Sequence, residues 1–139
     1  MVLLWSYLKT CHKPPPGSHD FPLKILAHPG ESHLPFQPFG NTARLLSSYN
    51  IQKAILSAIG ITWENGAINS SPEETCIKEM AVKKSMEKYL LADSSKFSSV
   101  SLPTYCNVKD LTGIITDQKP DSDFCDYAAK HQVSLIIAG

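Results

Sequence analysis

Short, unbroken apolar runs alternate along this chain with amphipathic stretches, and each run stops at a residue that turns the backbone. Ala54-Ile55-Leu56-Ser57-Ala58-Ile59 stops at Gly60, Tyr89-Leu90-Leu91-Ala92 at Asp93, and Gly113-Ile114-Ile115-Thr116 at Asp117. Val133-Ser134-Leu135-Ile136-Ile137 closes the chain. Such runs are too short for buried helices and are partly β-branched, so they are expected to be buried strands. Leu23-Lys24-Ile25-Leu26-Ala27 reads as a further short strand.

Helices are expected between them. Asn41 is placed to cap one that carries Ala43, Leu45 and Leu46. The clearest start is Ser71-Pro72-Glu73-Glu74, which offers a capping hydroxyl, proline at the first helical position and glutamate to complete a capping box. Ile77, Met80 and Ala81 then share one face, Glu74 stands one turn before Lys78, and the helix is expected to run to about Met86. Phe124, Tyr127, Ala128 and His131 share the face of a last helix, capped by Asp121 or Ser122. Glu64-Asn65-Gly66 is a turn signal. Buried strands alternating with amphipathic helices predict an α/β fold, a parallel sheet covered on both faces.

The pattern breaks near residue 22. Cys11-His12-Lys13-Pro14-Pro15-Pro16-Gly17-Ser18-His19-Asp20 cannot hold a helix or a central strand. Residues 1–22 are therefore expected to be an apolar segment and a stiff linker, with residues 23–139 forming the domain. A second proline-rich patch, from Pro29-Gly30 to Pro38, reads as a loop. The chain has 139 residues, the size of one ordinary domain, and 42% are hydrophobic, which excludes disorder throughout. Thirteen basic and thirteen acidic side chains cancel, so bulk charge supplies no grip on a nucleic-acid backbone. No stretch approaches the roughly 18 apolar residues of a membrane span, and Met1–Trp5 is too short for a signal peptide. Four cysteines without a paired motif read as reduced thiols. A soluble cytoplasmic domain is expected.

In open parallel sheets, ligands sit outside the carboxyl ends of strands. Asp93 and Asp117 stand at two such ends, and Ser94-Ser95-Lys96-Phe97 follows the first. Carboxylate and hydroxyls suit sugar hydroxyl groups, and an ammonium suits an anion. The same residues also read as a capped turn with a solvated lysine. Lys78 lies beside Ile77, so it points either inward toward the same rim or outward as a surface partner of Glu74. The histidine and cysteine spacings fit no structural zinc site, so no metal or cofactor is expected. There is no GxSxG, GxGxxG or Walker sequence. His131 at a helix end needs no catalytic role.

Taken in order, Gly66, then Ser71-Pro72-Glu73-Glu74-Thr75-Cys76-Ile77-Lys78, then Asp93-Ser94-Ser95-Lys96-Phe97, then Ile114-Ile115-Thr116-Asp117 resemble the C-terminal effector-sensing domain of the DeoR/GlpR family of transcription regulators. That family shows an E-x-x-x-K helix start, a D-x-S-K-F loop and an I-T-D strand end. The resemblance covers residues 39–138. It implies a partial fold like that of ribose-5-phosphate isomerase, glucosamine-6-phosphate deaminase and CoA-transferases. It also implies a phosphorylated sugar as effector, with Glu74, Lys78, Asp93, Ser95 and Lys96 as candidate contacts.

The family's winged helix-turn-helix and D-x-G-T-T phosphate loop have no counterpart here, which reads as a truncated form. His28-Pro29-Gly30 stands where the family often has Gly-Gly, and Ser98 where glycine usually follows the D-x-S-K-F loop. Without backbone amides for the anion, weak sugar-phosphate binding or none is expected, and no DNA binding by this chain alone. Exposed sheet edges would favour a homo-oligomer. The rival reading is an isomerase-like enzyme acting on a sugar phosphate, with Asp93 or Glu74 as general base.

Overall fold

In the computed structural model, which describes residues 2–5, 23–26, 40–98 and 101–139, the apolar runs align as strands of one sheet. Its strands are β1 (Val2–Trp5), β2 (Leu23–Leu26), β3 (Ile51–Ser57), β6 (Ser85–Leu91), β8 (Gly113–Thr116) and β9 (Ser134–Ile137), in the spatial order β2-β1-β3-β6-β8-β9. The last four run parallel, whereas β1 pairs antiparallel with both β2 and β3, so the sheet is mixed. The proline-rich run Cys11–Asp20, the loop at 29–38 and four of the five histidines lie outside the described residues.

The register places Leu56, Leu90 and Ile114 side by side on one face, all fully buried. Two crossover helices serve the parallel strands, α2 (Pro72–Lys84) between β3 and β6 and α3 (Ser122–Lys130) between β8 and β9. Because β3, β6, β8 and β9 advance in one direction, right-handed crossovers bring both helices to the same face. Ile77 and Ala81 of α2 and Phe124 and Ala128 of α3 accordingly share one core with Leu46 of α1 (Gly40–Ser47). Among the described residues the crossover helices therefore cover one face, not the two that were expected. Leu91 and Ile136, on the opposite face, remain 36% and 42% exposed. β9 is an edge strand rather than a buried one, and its Ile137 is also exposed.

Local chemistry sets the element ends. Ser71 caps α2, its hydroxyl oxygen accepting the Glu74 backbone N–H at 3.3 Å. The capping box is only half formed, because Glu74 turns its carboxylate to Asn69 and Lys78 instead. α2 ends at Lys84 rather than near Met86, since Ser85 donates its hydroxyl to the Ala81 carbonyl at 2.6 Å and opens β6 directly. α1 begins at Gly40, so Asn41 lies in its first turn rather than at the cap. Asp121, not Ser122, caps α3 by accepting the Phe124 N–H at 2.8 Å.

A second, three-stranded antiparallel sheet was not expected. It consists of β4 (Gly60–Thr62), β5 (Gly66–Ile68) and β7 (Thr104–Cys106). The Glu64-Asn65-Gly66 turn joins its first hairpin. Gly66 takes φ +84°, and a Cβ there would meet the Cys106 carbonyl oxygen, so only glycine fits.

Candidate functional site

Two groups of polar side chains gather at the carboxyl edge of the parallel strands. The first begins where β6 ends. Ala92 holds the strand line by donating its N–H to the Ile115 carbonyl at 3.1 Å, and the chain then folds back as a single 3₁₀ turn over Ser94–Lys96. Asp93 caps this turn: its carboxylate accepts the Ser95 N–H at 2.9 Å and also the Ser95 hydroxyl. Across the rim, Asp117 accepts the Ser94 N–H at 2.6 Å and the Ser94 hydroxyl at 3.1 Å. The ends of β6 and β8 are thereby tied to one loop.

An open cavity of about 340 Å³ lies between them, lined by Leu91, Asp93, Ile115, Thr116, Asp117 and Ala138. Both carboxyls are held below the usual carboxylate range, Asp93 first by its Ser95 hydrogen bonds and Asp117 first by the Ser94 amide. Lys96 adds positive charge beside Asp93. Phe97 anchors the loop from below, its ring edge-to-face on Phe124 with centroids 4.9 Å apart. The cavity lining therefore offers the ionised Asp93 and Asp117 carboxylates and the Thr116 hydroxyl, with Ser94, Ser95 and Lys96 in the turn that follows Asp93.

The second group is buried. Lys78 is 1% exposed, and its ammonium donates to the Ser57 carbonyl at 2.7 Å and to Asn69 Oδ1 at 3.1 Å. Its third partner is Glu74 Oε1 at 3.2 Å. Asn69 closes the ring by donating from Nδ2 to Glu74 Oε2 at 2.9 Å, and Tyr105 donates its hydroxyl to the same Ser57 carbonyl at 3.0 Å. Burial works to raise the Glu74 carboxyl, but the Asn69 hydrogen bond and the Lys78 charge overcome it and hold it at about 2. Burial pushes the Lys78 ammonium below its ordinary range, with Glu74 opposing. The neighbouring Cys106 thiol is pushed up to about 12, chiefly by burial.

Of the two alternatives for Lys78, pairing with Glu74 holds but a surface position does not. The structure brings Glu74 and Lys78 together, and separately Asp93, Ser95 and Lys96. Among the described residues no hydrogen bond or ion pair joins the two groups. What they share is the sheet edge: Ser57, the last residue of β3, pairs with Leu91, two residues before Asp93. Sequence reasoning missed Asn69 and Tyr105. Asn69 follows an apolar strand in the manner of a turn former, and nothing in the spacing announces either residue as a partner of Lys78. Among the described residues no group of three histidine, cysteine or acidic side chains is arranged to hold a metal ion.

Comparison with known proteins matches residues 39–118 to the DeoR C terminal sensor domain. The HTH-type transcriptional regulator IolR of Bacillus subtilis is 40% identical over 94 residues, 68% of this chain and 38% of that protein. The HTH-type transcriptional repressor GlcR of the same organism is 32% identical over 92 residues, 66% of this chain and 35% of that protein. A lactose phosphotransferase system repressor of Staphylococcus epidermidis is 36% identical over 76 residues, 55% of this chain and 30% of that protein. The chain thus spans less than two fifths of the length of these relatives. It belongs to the DeoR family of transcriptional regulators, as a C-terminal sensor domain.

Proposed function

We propose that this sensor domain binds a phosphorylated sugar at the rim formed by Asp93, Ser95 and Lys96, without catalysing its turnover. The tie between Asp117 and Ser94 carries the reading, because it fixes the loop that follows Asp93 beside a cavity at the ends of parallel strands. Asp93 and Ser95 take sugar hydroxyls, and the Lys96 ammonium meets the anion. Glu74 and Lys78 serve the site from its β3 side, through the Ser57 carbonyl that Lys78 anchors. Two relatives are named for sugars, the lactose phosphotransferase system repressor and an L-fucose operon activator of Haemophilus influenzae, which supports the ligand class.

On this reading the sheet takes the fold of the sugar-phosphate isomerases and CoA-transferases. Enzymatic turnover is disfavoured by the state of Glu74, a carboxylate held at about 2 and committed to Asn69 and Lys78, which makes it a poor general base. In a complete regulator of this family, located in the cytoplasm, the effector would shift the balance between DNA-bound and released states. It does so only by binding the two with different affinity.

Calorimetric titration of the 139-residue chain with a panel of sugar phosphates tests the reading. Weak, millimolar binding of at least one member that is diminished in Lys96→Ala supports it. Binding untouched by Lys96→Ala and Asp93→Asn contradicts it.

A further inference from the structure

A second groove lies away from the rim, on the solvent side of α3. Asp123, Asp126, Tyr127 and Lys130 recur at helical spacing along one stripe of that helix, and Trp63, in the β4–β5 turn, leans over them. The Trp63 and Tyr127 rings lie 5.8 Å apart, and the His131 ring lies 4.4 Å from the Tyr127 ring. Trp63 remains 39% exposed, so an indole face borders an open depression of about 340 Å³. Among the described residues, neither the Asp126 carboxylate nor the Lys130 ammonium has a hydrogen-bond or ion-pair partner. One acceptor and one donor are thus uncommitted beside an aromatic surface.

The mixture of charge decides the ligand class. Two carboxylates oppose a phosphate dianion, and Lys130 opposes an organic cation. An uncharged polyol ring satisfies every group at once. Its C–H face covers the indole, its hydroxyls donate to Asp126 and accept from Lys130, and no charge is buried unpaired. We infer that this groove binds an uncharged pyranose sugar, independently of the phosphorylated effector at the rim. The groove is shallow, so affinity is in the millimolar range.

The test is a titration of the ¹⁵N-labelled 139-residue chain with the methyl glycosides of glucose, galactose and mannose. At least one is expected to move the Trp63 indole N–H resonance with saturation, while equal glycerol does not. Trp63→Ala is expected to weaken binding by about tenfold or more, the loss of one aromatic stacking contact. Asp126→Asn and Lys130→Ala change exposed side chains that leave the core intact, and each is expected to weaken binding by about threefold or more. A Trp63 resonance unmoved by all three glycosides overturns the proposal. So does a shift reproduced by glycerol, or binding unchanged in both Asp126→Asn and Lys130→Ala.

Discussion

Asp117 and Ser94, 23 residues apart in the chain, meet through two hydrogen bonds, the backbone N–H at 2.6 Å and the hydroxyl at 3.1 Å. A carboxylate at the end of one strand thereby fixes the loop that leaves the neighbouring strand. Asp117→Ala removes both bonds while the strands stay paired. Amide hydrogen exchange at Ser94 and Ser95 is then expected to accelerate by about tenfold or more, with protection in β6 and β8 unchanged. Equal acceleration across the sheet would show instead that Asp117 supports the whole fold.

The cluster around Lys78 makes a larger demand on stability. Its ammonium is buried and fully partnered by Ser57, Asn69 and Glu74. Lys78→Ala leaves a cavity and strands those acceptors, with an expected cost of about 3 kcal/mol in urea unfolding. Glu74→Gln keeps the shape but removes the opposing charge, with an expected cost of about 2 kcal/mol. The double variant is expected to cost less than the two single costs added together, because the second change no longer strands a charge.

Acid unfolding carries the signature of Glu74. Its carboxyl is held at about 2 in the folded chain against an ordinary value of 4.5, so the unfolded state binds more protons between those values. The sign follows: this contribution is fully present above pH 4.5 and is lost as pH falls through the folded value near 2. Glu74→Gln is expected to flatten the stability profile in that window. An unaltered acid slope in the variant would mean that Glu74 does not carry it.

Among the described glycines compared for a Cβ, Gly66 is the one where a methyl group does most harm. With φ at +84° and the Cys106 carbonyl in the way, Gly66→Ala is expected to cost about 2 kcal/mol or more, read from the denaturation midpoint. Gly113, which has an ordinary φ, is expected to accept alanine more readily.

The fold was legible wherever chemistry is local. Ser71-Pro72 announces α2, the Asp121-Ser122 pair announces α3, and the apolar runs before Asp93 and Asp117 announce two of the parallel strands. The small sheet was not legible, because three-residue strands such as Gly60–Thr62 carry no periodicity of their own. The face taken by the crossover helices was hidden for a different reason. It depends on the direction in which β3, β6, β8 and β9 follow one another, which no single segment encodes. At the site, Asp93, Ser95 and Lys96 stood out as a motif beside a strand end. The surroundings of Lys78 did not, since Asn69, Ser57 and Tyr105 come from three separate segments that only the tertiary fold brings together.

The most direct test of the rim as the effector site is residue-resolved NMR titration of the chain with ribose 5-phosphate, fructose 6-phosphate and glucosamine 6-phosphate. Saturable shifts are expected at the amides of Asp93 to Phe97 and of Asp117, reduced by Lys96→Ala. Saturable binding of a sugar phosphate that leaves those amides unmoved, and shifts residues elsewhere, would contradict it.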